Sequence, residues 1–296
     1  MLHLEFAIAP NQIRNMADLN LLEARLGFDK GAVLSRFPKK WFNEVSDCLN
    51  ASLNGQQLDR ATEKLRRIKE SRLVSFNRPY AGEAWLEAAA TSHQTQPFHR
   101  VVDGITDNRP HYISDWQNLD EGDFTFNTQY ERNAASLASA AKALLVDAEK
   151  ITVYDNYICP TRRGDVNTLL EMMTICGKTE VEFHVYSKEY DKPPRQQREQ
   201  SLAHFIHTLP PAIRLFWYWI DDHGTGLLHQ RGVFTAKGGL IYDRGFEEPQ
   251  ARRKQLTPTS ITPMARHLLE DRSRIFNPAQ LGGGLSLVGT IWQSHP

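Results

Sequence analysis

Three stretches decide the fold: Ile151-Thr152-Val153-Tyr154-Asp155-Asn156-Tyr157, Val181-Glu182-Phe183-His184-Val185-Tyr186-Ser187-Lys188, and Ala212-Ile213-Arg214-Leu215-Phe216-Trp217-Tyr218-Trp219-Ile220. Ile151 to Tyr154 is a short apolar run of the kind a buried strand needs. In the second stretch Val181, Phe183 and Val185 alternate with Glu182, His184 and Tyr186, as on a pleated strand. Between the strands, Asp165 through Cys176 reads as a helix with Asp165 as its cap, and about Arg195 to His207 reads as another. Strand, helix, strand, helix, strand predicts a parallel sheet with right-handed crossovers. Further on, Leu227 to Phe234 and Gly239 to Tyr242 predict a hairpin closed by Thr235-Ala236-Lys237-Gly238. A helix from Pro263 to Ile275 and a last strand from Leu285 to Trp292 complete this half, and an alanine-rich helix, Glu131 to Asp147, precedes it.

From Pro97 to Thr128 the sequence is polar and rich in Asp and Asn, with Gly104, Pro110 and Gly122 interrupting any helix, which marks a domain boundary. The chain is therefore expected to divide into a mainly helical N-terminal domain, residues 1–129, suited to contacting a partner, and an α/β domain, residues 130–296, with a mixed sheet flanked by helices. Upstream of the boundary only Leu2 to Ala9 alternates; the rest has helical spacing. Leu58, Ala61, Leu65 and Ile68 form one apolar face, and Arg60, Lys64 and Arg67 lie on another. These three cations are candidate nucleic-acid contacts; the plainer reading is a solvated face balanced by acids elsewhere in the fold. A second basic segment carries Arg252, Arg253 and Lys254.

The 296 residues hold 35 basic and 35 acidic side chains, so no whole-molecule field draws the protein onto a polyanion, and any such site must be local. Apolar residues make up 41%, enough for a buried core and against general disorder. Cys48, Cys159 and Cys176 are too scattered for a disulfide framework or a Cys-x-x-Cys metal site. The start, Met1-Leu2-His3-Leu4-Glu5, lacks the pattern of a signal peptide, and the longest apolar run is Leu215 to Ile220. The expectation is a soluble cytoplasmic protein without membrane contact.

Ligands of parallel α/β sheets bind beyond the carboxyl ends of the strands. Asp155 and Asn156 end the first strand, Ser187 and Lys188 the second, and Asp221-Asp222-His223 the third, although loops are polar for ordinary reasons of solvation as well. Two residues apart on a strand, His229 and Arg231 would project from one face. An imidazole beside a guanidinium suits a phosphodiester, the first as nucleophile or proton carrier and the second as a bidentate anchor. Other groupings are weaker. His204 and His207 lie one helical turn apart with no third ligand; His93, His99 and His111 lack ligand spacing; Gly282-Gly283-Gly284 lacks the Lys-Ser/Thr of a phosphate loop. Phe216 to Trp219 cover both faces of a strand and read as core.

The order of elements and the local wording resemble the phospholipase D-like superfamily, in particular its divergent single-motif bacterial members, over roughly residues 130 to 296. The carriers are Ile151 to Ile158, with its strand ending in Asp-x-Tyr, and His229-Gln230-Arg231 running through Gly238-Gly239 to Asp243-Arg244-Gly245-Phe246. The helix Asn133 to Leu145 and the segment Gly282 to Trp292 stand where that fold has its first helix and last strand. The resemblance implies a phosphodiesterase, of nuclease type and belonging to a defence or mobile-element system. It would use His229 as nucleophile, Arg231 in place of the usual Lys, and Asp243 or Asp155 in place of the usual orienting Asp, since Ala236 stands at that position. Asp155, Asn156, Ser187 and Lys188 would bind substrate, no cofactor or metal is implied, and one motif per chain implies a homodimer. The alternative is a degenerate adaptor that binds nucleic acid or another protein of the same operon within a larger complex.

Overall fold

The computed structural model describes residues 1–80, 82, 84–105, 109–115, 118–249 and 257–294. Arg252, Arg253 and Lys254 lie outside the described residues. The chain separates into two compact units, one made of His3–Phe126 and the other of Met1–Leu2 with Asn127–Pro296. Among the described residues no helix is long and apolar enough to cross a membrane.

The N-terminal unit corrects the expectation of a mainly helical domain. Its strands β1 (Leu4–Ile8), β2 (Ala32–Ser35), β3 (Leu73–Val74), β4 (Arg100–Val102) and β5 (Tyr112–Ile113) form a sheet in the order β3-β2-β1-β4-β5. Every pairing is parallel. Helices α1 (Met16–Arg25), α2 (Trp41–Ser52), α3 (Gly55–Ser71) and α4 (Trp85–Thr95) connect them. All four residues of β2 are buried, so the strand carries no polar face, and β3 and β5 are two residues long. Neither kind of strand leaves an alternating pattern to read. On α3, Ala61, Leu65 and Ile68 are buried as their spacing predicts. They join a core with Phe6, Ile8, Leu22, Leu34, Trp41 and Val45. Glu5, on β1, is 2% exposed and meets the guanidinium of Arg78 at 2.5 Å, with Ser35 Oγ donating to it at 2.6 Å.

The C-terminal unit holds the expected parallel core. Strands β6 (Gln129–Tyr130), β7 (Lys150–Asp155), β8 (Val181–Lys188), β9 (Ile213–Asp221), β10 (Gly232–Phe234), β11 (Gly239–Tyr242), β12 (Thr259–Pro263), β13 (Ser286–Leu287) and β14 (Trp292–Gln293) build one mixed sheet. The path is β13-β9-β8-β7-β10-β11-β12-β6, with β14 also on β9. β7, β8 and β9 run parallel, and β10 and β11 form an antiparallel hairpin beside β7. Helices α5 (Ala134–Ala140), α6 (Lys142–Leu145), α7 (Arg163–Ile175), α8 (Arg195–Phe205) and α9 (Arg266–Ile275) accompany the sheet.

Register fixes what each face presents. Tyr154, Tyr186 and Tyr218 stand side by side in one row, and Asp155, Ser187 and Trp219 in the next, on the opposite face. The tyrosine row packs with Phe276, Leu228 and Met264 in the unit's core.

Several boundaries differ from the sequence reading. The alanine-rich helix breaks at Ala141 into α5 and α6. Helix α7 begins at Arg163, and Asp165 sits in its first turn without capping it. The last strand is two short pieces, separated where Gly289 adopts a φ of 73°. Strand β12, ending at Pro263, occupies sequence read as the approach to α9.

Candidate functional site

His229 and Arg231 do not stand on a strand. The chain turns through residues 225–230, the His229 N–H donates to the Gly226 carbonyl at 3.0 Å, and β10 begins only at Gly232. The expected strand therefore holds three residues of eight, because the Gly226 backbone, at a φ of 72°, bends the segment away from extended geometry. His229 is exposed. The turn is fastened to the end of β7, where the Asn156 N–H donates to the Leu228 carbonyl at 3.0 Å.

Arg231 engages the end of β7. Its Nε lies 3.7 Å from Asp155 Oδ1, its Nη1 donates to the Asp243 carbonyl, and its guanidinium carbon is 5.4 Å from the Tyr157 ring centroid. Asp243 is exposed and meets Arg231 only through its backbone, so it does not orient an imidazole as the resemblance implied. Asp155 is 3% exposed, and its Oδ1 accepts the Tyr157 N–H at 2.7 Å. Burial raises its carboxyl above the ordinary range, against the pull of that N–H and of Arg231 and Arg162. Gly245, at a φ of 71°, passes so close that a Cβ there would lie 2.4 Å from Asp155 Oδ2. Asn156 is buried with its Oδ1 unpartnered.

Beyond the ends of β7 and β8 lies a cleft of about 300 Å³, at the small end of ligand-pocket sizes. Of the residues expected to bind substrate, Ser187 and Lys188 line it; Asp155 and Asn156, both buried, do not. Ser187 is committed to the fold, since it accepts the Trp217 Nε1–H at 2.8 Å. Lys188 Nζ is held 2.7 Å from Asp222 Oδ1. The remaining cations on the wall, Arg162, Lys192 and Arg198, escaped the sequence reading. The signal for Lys192 and Arg198 was positional, because they follow β8 where it delivers the chain to α8.

Each wall cation but the exposed Lys192 has a carboxylate behind it. Arg162 Nε is 2.9 Å from Asp165 Oδ2, and Arg198, 3% exposed, donates to Glu189. Asp165, Asp222 and Glu189 are not among the residues lining the cleft, so the ionised side chains among the described lining residues are cations. Asp165 Oδ2 also accepts the Cys159 N–H at 2.8 Å. Burial nevertheless pushes the Asp165 carboxyl up to about 7, outweighing Arg162 and that N–H. The floor includes Trp219, whose buried Nε1 has no partner and whose ring lies 4.5 Å from the Arg195 guanidinium carbon.

The candidate nucleic-acid contacts of α3 are largely engaged within their own unit. Lys64 pairs with Glu23 at 2.5 Å and Arg67 with Glu63 at 3.1 Å, while Arg60 is exposed. Among the described residues no cluster of His, Cys, Asp and Glu is arranged to hold a metal ion.

The chain matches no protein-family model, and no curated protein matches it significantly.

Proposed function

We propose that the C-terminal unit is a phospholipase D-like binding module for a phosphate ester, held at the carboxyl ends of β7 and β8. One observation carries this reading: among the described residues lining the cleft, the ionised side chains are Arg162, Lys188, Lys192 and Arg198, with no carboxylate among them. Three of these cations are fixed from behind by acidic partners, so little conformational entropy is lost when an anion docks. Arg231, by contrast, is spent on Asp155 and on the Asp243 carbonyl, which favours binding over turnover. An adaptor that presents such a site to nucleic acid or to a phosphorylated partner within a larger complex needs no hydrolysis. Titration calorimetry with inorganic phosphate tests the reading. Combining Lys188→Gln, which keeps a hydrogen bond to Asp222, with Lys192→Glu should weaken binding about tenfold or more. Undiminished affinity in this variant, with its thermal midpoint intact, would refute the assignment.

A hydrolytic version is favoured by the bond from Asn156 to Leu228, which fastens the His229 turn at the end of β7. There the imidazole attacks phosphorus, the P–O bond to the leaving alcohol breaks, and His229 of the partner subunit in a homodimer protonates the departing oxygen. Replacing His229 by Ala should then abolish cleavage of a p-nitrophenyl phosphodiester without affecting phosphate affinity. Under the binding-module reading, neither the wild type nor this variant turns the ester over.

A further inference from the structure

At the mouth of the cleft stand two tyrosines, one from each strand end. Tyr157 follows β7 and Tyr190 follows β8; they are 47% and 37% exposed, and both line the cleft. Their rings are parallel to within 6°, yet the centroids are 6.5 Å apart. The stacked pairs inside the same unit are closer, with Tyr186 and Tyr218 at 4.3 Å and His184 and Phe216 at 4.8 Å. Tyr157 and Tyr190 are thus aligned without being packed on each other. A flat ring needs about 3.5 Å to each neighbour, or about 7 Å for two, so the pair at 6.5 Å takes an aromatic group between its faces once one of these exposed rings swings outward.

Both tyrosines are held in place by their backbones. The Tyr157 N–H is bound by Asp155, and the Tyr190 carbonyl accepts from Arg198 at 3.1 Å. Keeping large apolar faces in water is unfavourable, and a ligand that covers them recovers that free energy. The Arg231 guanidinium, 5.4 Å from the Tyr157 centroid, adds a further flat cationic surface beside the opening. Lys188 and Lys192 line the same cleft and supply the complement to an anion.

We infer that Tyr157 and Tyr190 clamp a nucleobase while the cations bind the attached phosphate, so that the ligand is a nucleoside phosphate, free or at the end of a strand. The inference rests on the phosphate-site reading above and adds the class of ester. Flat ring and anion must belong to one molecule, which a sugar phosphate alone does not satisfy.

Calorimetry with three probes tests it: inorganic phosphate, ribose 5-phosphate and AMP. The wild type should bind AMP about tenfold or more tightly than ribose 5-phosphate, the usual yield of one base stacked on an aromatic side chain. The double variant Tyr157→Ala, Tyr190→Ala should bind both alike, with its ribose 5-phosphate affinity unchanged, and Tyr190→Trp should keep the preference for AMP. Because both side chains are exposed, the thermal midpoints should remain close to wild type. Equal affinity of the wild type for AMP and ribose 5-phosphate would overturn the clamp and leave the phosphate site standing, as would a preference that survives the double variant. If none of the three probes binds, the phosphate site itself is wrong and the clamp falls with it.

Discussion

Two neighbouring carboxylates do different work at the site. Asp155 holds Arg231 and the Tyr157 N–H, whereas Asp165 is buried behind Arg162 with its proton retained up to about 7. A carboxyl whose folded pKa exceeds the unfolded value of about 3.9 contributes stability that is complete below that value and lost as pH rises through the folded one. Asp165→Asn, neutral at every pH and still able to accept the Cys159 N–H, should therefore leave acid stability unchanged. Toward pH 7 it should gain on the wild type, by at most about 4 kcal/mol, since each tenfold change in proton affinity carries about 1.4 kcal/mol. Urea melts between pH 4 and 8 would show this, and parallel curves for the two proteins would contradict it. Gly245 is the opposite kind of position. Gly245→Ala meets both a left-handed backbone and the Asp155 carboxylate, and should lower stability by about 2 kcal/mol or more in the same melts. A smaller loss would mean that Asp155 moves aside easily, and would weaken its role as the anchor of Arg231.

At the level of elements, much of the C-terminal unit is legible in the sequence. β7, β8 and β9 announce themselves because apolar and aromatic residues run through strands buried on both faces, and the helices between them have the length of ordinary crossovers. The hairpin of β10 and β11 is legible from its four-residue turn. The His229 strand misleads, because Leu228 and Val233 frame a run that looks continuous while Gly226 turns it aside. In the N-terminal unit the helices leave a clear amphipathic pattern, but β3 and β5 are too short to leave any, and β3 joins the sheet through a pairing 39 residues apart in sequence, Leu34 with Leu73. The cleft was half legible: strand-end positions pointed to Asp155, Ser187 and Lys188, whereas Arg162 and Arg198 become wall residues only through the path of the loops. For α3, whose cations are balanced by Glu23 and Glu63, the combination Arg60→Glu with Arg67→Glu should leave phosphate affinity unchanged in calorimetry. A fall of about tenfold would show instead that the helix contributes to the anion site.

For the molecule as a whole, equal numbers of acidic and basic residues mean that attraction of an anion is a property of one region. The cleft meets this condition by drawing its cations from the end of β8, from the loops that follow β7 and β8 and from α8, while their acidic partners are not among the lining residues. Such short-range fields are screened over about 10 Å at 0.1 M salt. The two units each carry a sheet and a core of their own. The chain's first two residues belong with the second unit, where the Leu2 N–H donates to the Ala140 carbonyl at 3.2 Å.

Trp219 gives this arrangement an optical consequence. Its indole forms part of the cleft floor beside Arg195 and Arg198, with its N–H unpaired, whereas Trp217, two residues earlier, is sealed in and bonded to Ser187. An anion entering the cleft changes the field most directly across the first indole, which lines it. The protein's intrinsic ultraviolet emission should shift as phosphate is added, Trp219→Phe should silence that response, and occupancy can then be followed without attaching any label.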